Sequence, residues 1–341
     1  MTQPPRRPRV VMAMSPGGLA DHLFAGHHDE LHRTAEVLGP VLSSFADDES
    51  RAHLARAEVL VTGWGCPPVT REVLGAAPRL RGLLHTGGAT AGFIDLDAAR
   101  ERGLFVSHAA DANAIPVAEY TFAQILLANK RVRAAEELYR LRRDRIDRET
   151  DLLDTGNYRR TVGLVGASRI GRRVARLLRG SDLTVLMYDP YLAPAQATSL
   201  GVALCGLHDL MRRSDVVSLH VPVTAETAGM IDAAALAAMP DGATLINTAR
   251  GAVVDHAALL AELRTGRIDA VLDVTEPEPL PPGHPLWDLP NVVLTPHVAG
   301  STGTELARLG RTVLDELARY VSDRPLHHAE LTPAGAVHDA G

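Results

Sequence analysis

Apolar residues recur along this chain in short runs that are separated by longer stretches of mixed character. The runs at 9–14, 58–62, 80–84 and 104–107 have the length of buried strands. The stretch at 30–38 has the apolar spacing of a helix. Strands that alternate with helices at this spacing predict a parallel α/β sheet in the first part of the chain.

The same alternation returns after a charged segment at 140–160, which we interpret as the end of a helix and a linker. We expect the preceding helix to run from Pro116, a residue suited to a first helical turn, to Tyr139. From 323 the chain has two prolines and no periodic apolar face, which predicts a loose end. Further strands are predicted at 161–165, 183–188, 216–220, 244–247, 270–274 and 292–295, with helices beginning at 169 and spanning 255–265 and 305–320.

A glycine-rich turn follows the strand at 161–165. Gly166 permits a tight turn, and Gly171 lets the helix and strand backbones approach each other. The N-terminus of the following helix offers free N–H groups and a partial positive charge to a pyrophosphate. The next strand ends at Asp189, whose carboxylate is placed to accept hydrogen bonds from a ribose diol. This arrangement predicts a dinucleotide-binding βαβ unit, and the alternative is an ordinary α/β turn.

The turn departs from the G-x-G-x-x-G pattern because Ser168 stands in place of the middle glycine. Its Cβ lies where a phosphate is expected to approach, but serine is small and its hydroxyl can donate to phosphate. We therefore expect the nucleotide site to be weakened rather than lost.

Composition narrows the class of protein. The 341 residues suffice for two domains, and 46% hydrophobic with 22% charged residues is typical of a soluble globular protein. The net charge of −6 without a basic stripe argues against nucleic acid as a partner. We see no membrane span, signal peptide, disulfide framework or metal site, and the two cysteines fit a reducing cytoplasm.

Chemically active side chains follow the predicted strands of the second half. Arg250, Asp273, Glu278 and His297 lie at or just beyond the carboxyl ends of predicted strands, where parallel sheets bind their ligands. Arg250 has the donor fork for a carboxylate or carbonyl, and His297 can transfer a proton near neutral pH. A carboxylate beside His297 would stabilise its protonated form. Taken singly, Arg250 could instead form a surface ion pair, Glu278 could be a solvated loop acid, and His297 could cap a loop.

Five motifs in order give the chain a resemblance to the D-isomer-specific 2-hydroxyacid dehydrogenases over nearly its whole length. They are Val-Gly-Leu-Val-Gly-Ala-Ser-Arg-Ile-Gly, Leu-His-Val-Pro-Val-Thr-Ala-Glu-Thr, Asn-Thr-Ala-Arg-Gly, Leu-Asp-Val-Thr-Glu-Pro-Glu-Pro and Leu-Thr-Pro-His-Val-Ala-Gly. The resemblance implies a catalytic set of Arg250, Glu278 and His297, with Glu276 as the alternative acid. It also implies that Asp273 contacts the nicotinamide carboxamide.

The resemblance extends to the remaining site residues and to the fold. Two doubly wound parallel-sheet domains are implied, a flavodoxin-like substrate domain at 1–112 and 301–330 and a Rossmann dinucleotide-binding domain at 113–300, with a cleft between them and a loose tail at 331–341. The substrate contacts implied are Trp64, Gly87, Gly88, Ala89, Arg250 and His297. The predicted cofactor contacts include the glycine-rich turn and the ends of the following strands. They are Gly166, Ser168, Arg169, Ile170, Gly171, Asp189, His220, Val221, Pro222, Thr227, Thr248, Ala249, Asp273 and Gly300. For His220, structural packing remains an equal alternative.

The implied activity is reversible hydride transfer between NAD and a small 2-keto or 2-hydroxy acid. The resemblance also implies that the protein is a homodimer. The loop at 61–67 lacks the arginines that phosphoglycerate-type relatives place there, which favours a non-phosphorylated substrate near Trp64. Asp189 is followed by no cation within five residues, which favours NAD over NADP. The alternatives are a non-catalytic NAD(H)-binding sensor or corepressor-like protein, and a formate-type dehydrogenase, whose relatives carry glutamine in place of Glu278. The keto acid itself is left open.

Overall fold

The computed structural model describes residues 6–88, 90 and 92–332. The chain divides into two compact units, one comprising Met1–Asn113 with Ser301–Gly341 and the other comprising Ala114–Gly300. In the described residues, no helix combines the length and the apolar character needed to cross a bilayer. The same residues contain no group of three or more His, Cys, Asp or Glu side chains that could hold a metal ion.

The first unit contains a six-stranded sheet. Its strands are β1 (Arg9–Ala13), β2 (Glu36–Val37), β3 (Val59–Thr62), β4 (Gly82–His85), β5 (Phe105–His108) and β13 (Ala329–Leu331). Their spatial order is β13-β5-β4-β3-β1-β2, and all neighbours are parallel except the edge pair β13 and β5. The parallel part has the strand order of flavodoxin-like sheets.

Helices of the first unit cover both faces of this sheet, so β3 and β4 are buried along their whole length. The long C-terminal helix α14 packs closely on α1, because a Cβ on Gly310 would lie 1.8 Å from the Leu23 carbonyl oxygen. The helices are α1 (Leu19–Leu23), α2 (His28–Thr34), α3 (Asp48–Arg56), α4 (Arg71–Gly75), α5 (Leu96–Glu101), the first turn of α6 (Ala110–Asn129) and α14 (Leu306–Val321).

The second unit contains a seven-stranded parallel sheet in the order β12-β11-β10-β9-β6-β7-β8. Counted from β6, this is the 3-2-1-4-5-6 order of the Rossmann fold with one further strand. The strands are β6 (Thr161–Val165), β7 (Thr184–Tyr188), β8 (Ala203–Leu204), β9 (Val216–Leu219), β10 (Thr244–Asn247), β11 (Asp269–Leu272) and β12 (Val292–Leu294). The helices after α6 are α7 (Val132–Arg142), α8 (Arg148–Asp151), α9 (Arg169–Leu178), α10 (Pro194–Leu200), α11 (Leu207–Arg213), α12 (Ala233–Ala238) and α13 (His256–Arg264).

The helix predicted at 116–139 differs from the structure at its start and in its continuity. Helix α6 begins at Ala110 and carries Pro116 inside it, although a proline ring removes one backbone hydrogen bond. The apolar face that includes Val117 and Ala118 is buried, so packing stabilises the helix despite the proline. Arg131, with a left-handed φ of 48°, separates α6 from α7.

Two further predictions were wrong, one about where a helix ends and one about the C-terminal segment. The helix predicted at 30–38 ends at Thr34, because the Glu36 N–H bonds to the Pro8 carbonyl and the chain enters β2. The segment predicted to be loose from 323 instead forms β13, which pairs with β5. Buried Glu316 accepts the backbone N–H groups of His327 and His328 and leads the chain into this strand. Residues 333–341 of the predicted tail lie outside the described residues.

Candidate active site

The glycine-rich turn between β6 and α9 accepts only glycine at two positions. Gly166 has φ +102°, and a Cβ there would lie 2.8 Å from the His220 carbonyl oxygen. A Cβ on Gly171 would lie 2.1 Å from the Gly166 carbonyl oxygen. The turn therefore holds the N-terminus of α9 against the carboxyl ends of β6 and β9, which is the topological switch point where Rossmann folds bind nucleotides.

Ser168 has a local role that the sequence pattern did not indicate. It is the extended N-cap of α9, and its Oγ accepts the Gly171 N–H at 3.3 Å. A serine in this role satisfies one of the helix's unpaired N–H groups, which stabilises a helix by about 1 kcal/mol. Its hydroxyl proton is still available to a phosphate oxygen, since the hydroxyl can accept and donate at once.

A cavity of about 210 Å³ lies over this turn. Six predicted cofactor residues line it, namely Gly166, Ser168, Asp189, His220, Val221 and Pro222. Ala167, Arg172 and Tyr191 also line it. Ala167 and Tyr191 were not among the predicted cofactor residues, although each is within three residues of a motif position.

Side chains of opposite charge hold the backbone N–H and carbonyl of Ala167 in this cavity. The Asp189 Oδ2 accepts the Ala167 N–H at 2.7 Å, and the Arg172 Nε donates to the Ala167 carbonyl at 2.7 Å. The other Asp189 oxygen accepts the Tyr191 N–H at 2.8 Å. Asp189 is thus oriented into the cavity by two backbone donors, and each of its oxygens retains a further acceptor position.

His220 is buried beneath the glycine-rich turn. Burial lowers the pKa of its imidazole to about 3, so the ring is neutral at physiological pH. A Cβ on Gly171 would lie 3.3 Å from the His220 Cβ, which shows how closely His220 approaches the turn. His220 therefore both packs under the turn and lines the cavity.

The other predicted cofactor residues are spread along the same strand ends. Thr227 Oγ1 donates to the Pro222 carbonyl at 2.6 Å, and Thr248 shares a hydrogen bond of 2.9 Å with Thr121 of α6. Ala249 is buried after β10. Arg169 and Ile170 form the first turn of α9, and Gly300 ends the loop after β12.

His297 and Glu278 form an ion-pair geometry at the carboxyl edge of the second sheet. The His297 Nδ1 lies 2.7 Å from the Glu278 Oε1, with 48% and 42% of the two side chains exposed. Glu276 is exposed and is not paired with His297; its charge acts on His256. His297 has a left-handed φ of 55°, a conformation that costs a non-glycine residue about 1 kcal/mol and is often found at functional sites.

Arg250 follows strand β10, which is adjacent to β11, in a loop that is held by hydrogen bonds to the Asn247 side chain. The Asn247 side chain accepts the Ala249 N–H at 3.0 Å and donates to the Arg250 carbonyl at 2.9 Å. The Arg250 guanidinium itself is exposed and donates to the Ala249 carbonyl at 2.6 Å. Gly251 packs on the loop after β11, since a Cβ there would lie 2.1 Å from the Thr275 carbonyl oxygen.

Asp273 is buried with only 2% of its surface exposed, and three donors hold its carboxylate. The Thr295 hydroxyl donates at 2.6 Å and the Val298 N–H at 2.8 Å to Oδ1, while the Ala299 N–H donates at 2.9 Å to Oδ2. A carboxylate has about four acceptor positions, so Oδ2 can still receive one more donor. The sequence did not indicate that Asp273 organises the backbone around His297.

The predicted substrate residues Trp64, Gly87 and Gly88 belong to the first unit, just beyond β3 and β4. Trp64 is 37% exposed, and Ala89 lies outside the described residues. His85 lies under the glycine loop, because a Cβ on Gly87 would be 2.4 Å from its Nε2. Its Nδ1 bonds Thr62 Oγ1 at 3.0 Å, and burial lowers its pKa to about 4.

The strand orders, the glycine-rich turn and the acidic strand end define a two-domain α/β protein with a dinucleotide-binding unit. Residues 122–299 match the NAD-binding domain of the D-isomer specific 2-hydroxyacid dehydrogenases. The chain belongs to this family, and its second unit is the family's NAD-binding domain.

Curated relatives and a solved structure agree with this assignment. The chain is 37% identical over 255 residues to a glyoxylate reductase of Korarchaeum cryptofilum, covering 74% of this chain and 76% of the relative. It is 36% identical over 272 residues to a D-3-phosphoglycerate dehydrogenase of Mycobacterium leprae, covering 80% of this chain. The chain spans about half of that relative, 51% of its length. The crystal structure of a D-mandelate dehydrogenase from Rhodotorula graminis superposes with a TM-score of 0.77 at 27% identity, covering 98% and 99% of the two chains.

Proposed function

We propose that this chain is an NAD-dependent reductase of a small, non-phosphorylated 2-keto acid, forming the D-2-hydroxy acid reversibly. The observation that carries the proposal is the pairing of His297 with Glu278 at 2.7 Å, after strands β12 and β11, while Arg250 follows the adjacent strand β10. Membership of the family and the glycine-rich turn at the switch point support NAD as the cofactor.

The chain's own residues divide the chemistry among them. When bound, NADH supplies the hydride that adds to the 2-keto carbon. The protonated His297 donates its proton to the substrate oxygen as negative charge develops there, and Glu278 stabilises the imidazolium before the transfer. Arg250 holds the substrate carboxylate and polarises the keto oxygen with its fork of donors. In the oxidative direction His297 is the base.

The loops after β3 and β4 of the first unit are proposed to determine which acid is the substrate. The loop Gly63-Trp64-Gly65-Cys66-Pro67 carries no cation that could hold a phosphate, and Trp64 offers an apolar surface. Gly87 and Gly88 stay predicted contacts of the substrate carboxylate. These features favour an acid such as glyoxylate, hydroxypyruvate or a larger 2-keto acid.

We also propose a two-fold homodimer joined through the second unit. Helix α7 buries none of its residues within the chain, and an isolated helix of its length is marginal in water. Apolar side chains are exposed along this segment, with Tyr139 at 62%, Leu141 at 76% and Leu153 at 74%. A second copy that covers part of this segment would account for both observations.

A panel of 2-keto acids with NADH, followed by loss of NADH absorbance and chiral analysis of the product, tests the activity. We expect turnover with a non-phosphorylated acid and a D product. A clear kinetic preference for 3-phosphohydroxypyruvate would overturn the substrate proposal. Binding of NADH without turnover of any acid would instead favour a sensor protein.

A further inference from the structure

Helix α6 reaches the loop that carries His297 through a chain of hydroxyl groups within the second unit. The Tyr120 hydroxyl lies 3.0 Å from Thr295 Oγ1, which in turn lies 2.6 Å from the Asp273 Oδ1. Neither Tyr120 nor Thr295 belongs to the predicted cofactor or catalytic set.

The direction of these hydrogen bonds follows from the Asp273 carboxylate. An ionised carboxylate only accepts, so the Thr295 hydroxyl must donate its single proton to Asp273. Thr295 Oγ1 is then an acceptor towards Tyr120, whose hydroxyl must donate. Burial, with the nearby Asp273 charge, raises the pKa of Tyr120, so the phenol keeps its proton at physiological pH.

The Asp273 carboxylate is connected directly to the backbone of the His297 loop. It accepts the N–H groups of Val298 and Ala299, the two residues that follow His297. The His297 N–H itself bonds the carbonyl oxygens of Asp273 and Thr295, each at 3.0 Å. These bonds surround the left-handed His297, whose backbone conformation requires such support.

We propose that Tyr120 is a positioning residue for His297, acting through Thr295 and Asp273. This inference rests on the proposed function of His297 as proton donor. The Tyr120 hydroxyl polarises Thr295, and Thr295 in turn holds a buried carboxylate that would be costly without its donors. Loss of the hydroxyl loosens the loop and displaces the imidazole from its productive geometry, where small displacements lower rates strongly.

Hydrogen exchange of the peptide covering 295–300 tests the structural part without any turnover. In the nucleotide-free protein, Tyr120→Phe and Thr295→Val should exchange faster in this peptide, while Thr295→Ser, which keeps the hydroxyl, should resemble the unmodified chain. Tyr320→Phe, the same chemical change on α14 of the first unit, is the matched control and should leave the peptide unchanged. Equal protection in all variants would overturn the inference even if the enzyme is active.

A double-mutant cycle tests the link to His297. Tyr120→Phe should lower kcat by about 5–20-fold, with the NADH dissociation constant within about twofold, because the effect is on a proton donor. In a His297→Ala background the same change should alter the residual rate by less than about twofold, since its target is gone. An equal loss in both backgrounds would contradict a role through His297. Absence of turnover in the unmodified chain would instead refute the proposed function and leave the exchange result to stand.

Discussion

Asp189 combines an observed structural role with a predicted role in cofactor specificity. Its carboxylate accepts the backbone N–H groups of Ala167 and Tyr191, and it lines the cavity over the glycine-rich turn. The position of this acid was predicted from the sequence, since strand length and motif spacing fix where β7 ends. The hydrogen bonds from Ala167 and Tyr191 were not predicted, because they depend on side-chain rotamers and local backbone directions.

The orientation of Asp189 predicts a preference for NADH over NADPH of at least about tenfold in kcat/KM, which needs only ~1.4 kcal/mol. The carboxylate can accept from the ribose hydroxyls, and it repels a 2′-phosphate at close range. Asp189→Ser should narrow the gap, chiefly by raising the KM for NADH. Steady-state kinetics with both reduced cofactors measure this, with the exposed Asp182→Ser at the other end of β7 as control. Equal or better efficiency with NADPH in the unmodified chain would show that the preference is wrong.

Elements of regular periodicity were predicted well, and elements held by tertiary contacts were not. Strand β10 matches its predicted range, and α13 lies within one residue of its prediction at each end, because buried strands and amphipathic helices leave a pattern in the sequence. Strand β13 escaped prediction because three residues leave no such pattern; its pairing depends on a distant partner, β5. The start of α6 was misplaced because packing outweighed the usual position of proline at a helix start.

Helix α7 leads to a prediction about assembly. Leu141→Asp places a charge at an exposed leucine of this helix and should weaken the proposed dimer by at least about tenfold, or ~1.4 kcal/mol. Light scattering at micromolar concentration should give a dimer for the unmodified chain and a larger monomer fraction for the variant. Leu204→Asp, at an exposed leucine on β8, is the control and should remain dimeric. A monomeric mass for the unmodified chain would refute the proposed dimer.

At the scale of the whole molecule, each unit contains a deeply buried histidine that folding keeps neutral. Burial lowers the pKa of His85 in the first unit to about 4 and that of His220 in the second unit to about 3. Neighbouring His108 lowers the His85 value further, while a hydrogen bond with Thr62 opposes the shift. Buried histidines of this kind cannot be distinguished in the sequence from exposed ones, since burial is a property of the finished fold.

These histidines predict that acid destabilises both units before the carboxylates titrate. Above about pH 6.5 these two histidines are neutral in both the folded and the unfolded chain, so they add no pH dependence to the free energy of unfolding in that range. As the pH falls towards 4, the unfolded chain binds protons that the folded chain excludes. Each histidine then lowers the free energy of unfolding by up to about 1.4 kcal/mol per pH unit.

Urea unfolding of the unmodified chain at pH 7.5 and pH 5 measures this effect, and the midpoint should fall at the lower pH. His85→Gln cannot be protonated and should reduce the fall, whereas His28→Gln, at an exposed histidine, should not. Equal midpoints at both pH values for the unmodified chain would contradict the prediction.

His297 is proposed to supply the proton for reduction of a 2-keto acid by NADH, and this role is central to the proposed function. The most direct measurement compares kcat for the best keto acid, and the NADH dissociation constant, in the unmodified chain and in His297→Ala. We expect kcat to fall roughly 10²–10⁴-fold, the range for loss of a general acid, with NADH binding changed by less than about twofold. A His297→Ala protein that keeps its kcat, or that loses activity only because it no longer binds NADH, would contradict the claim.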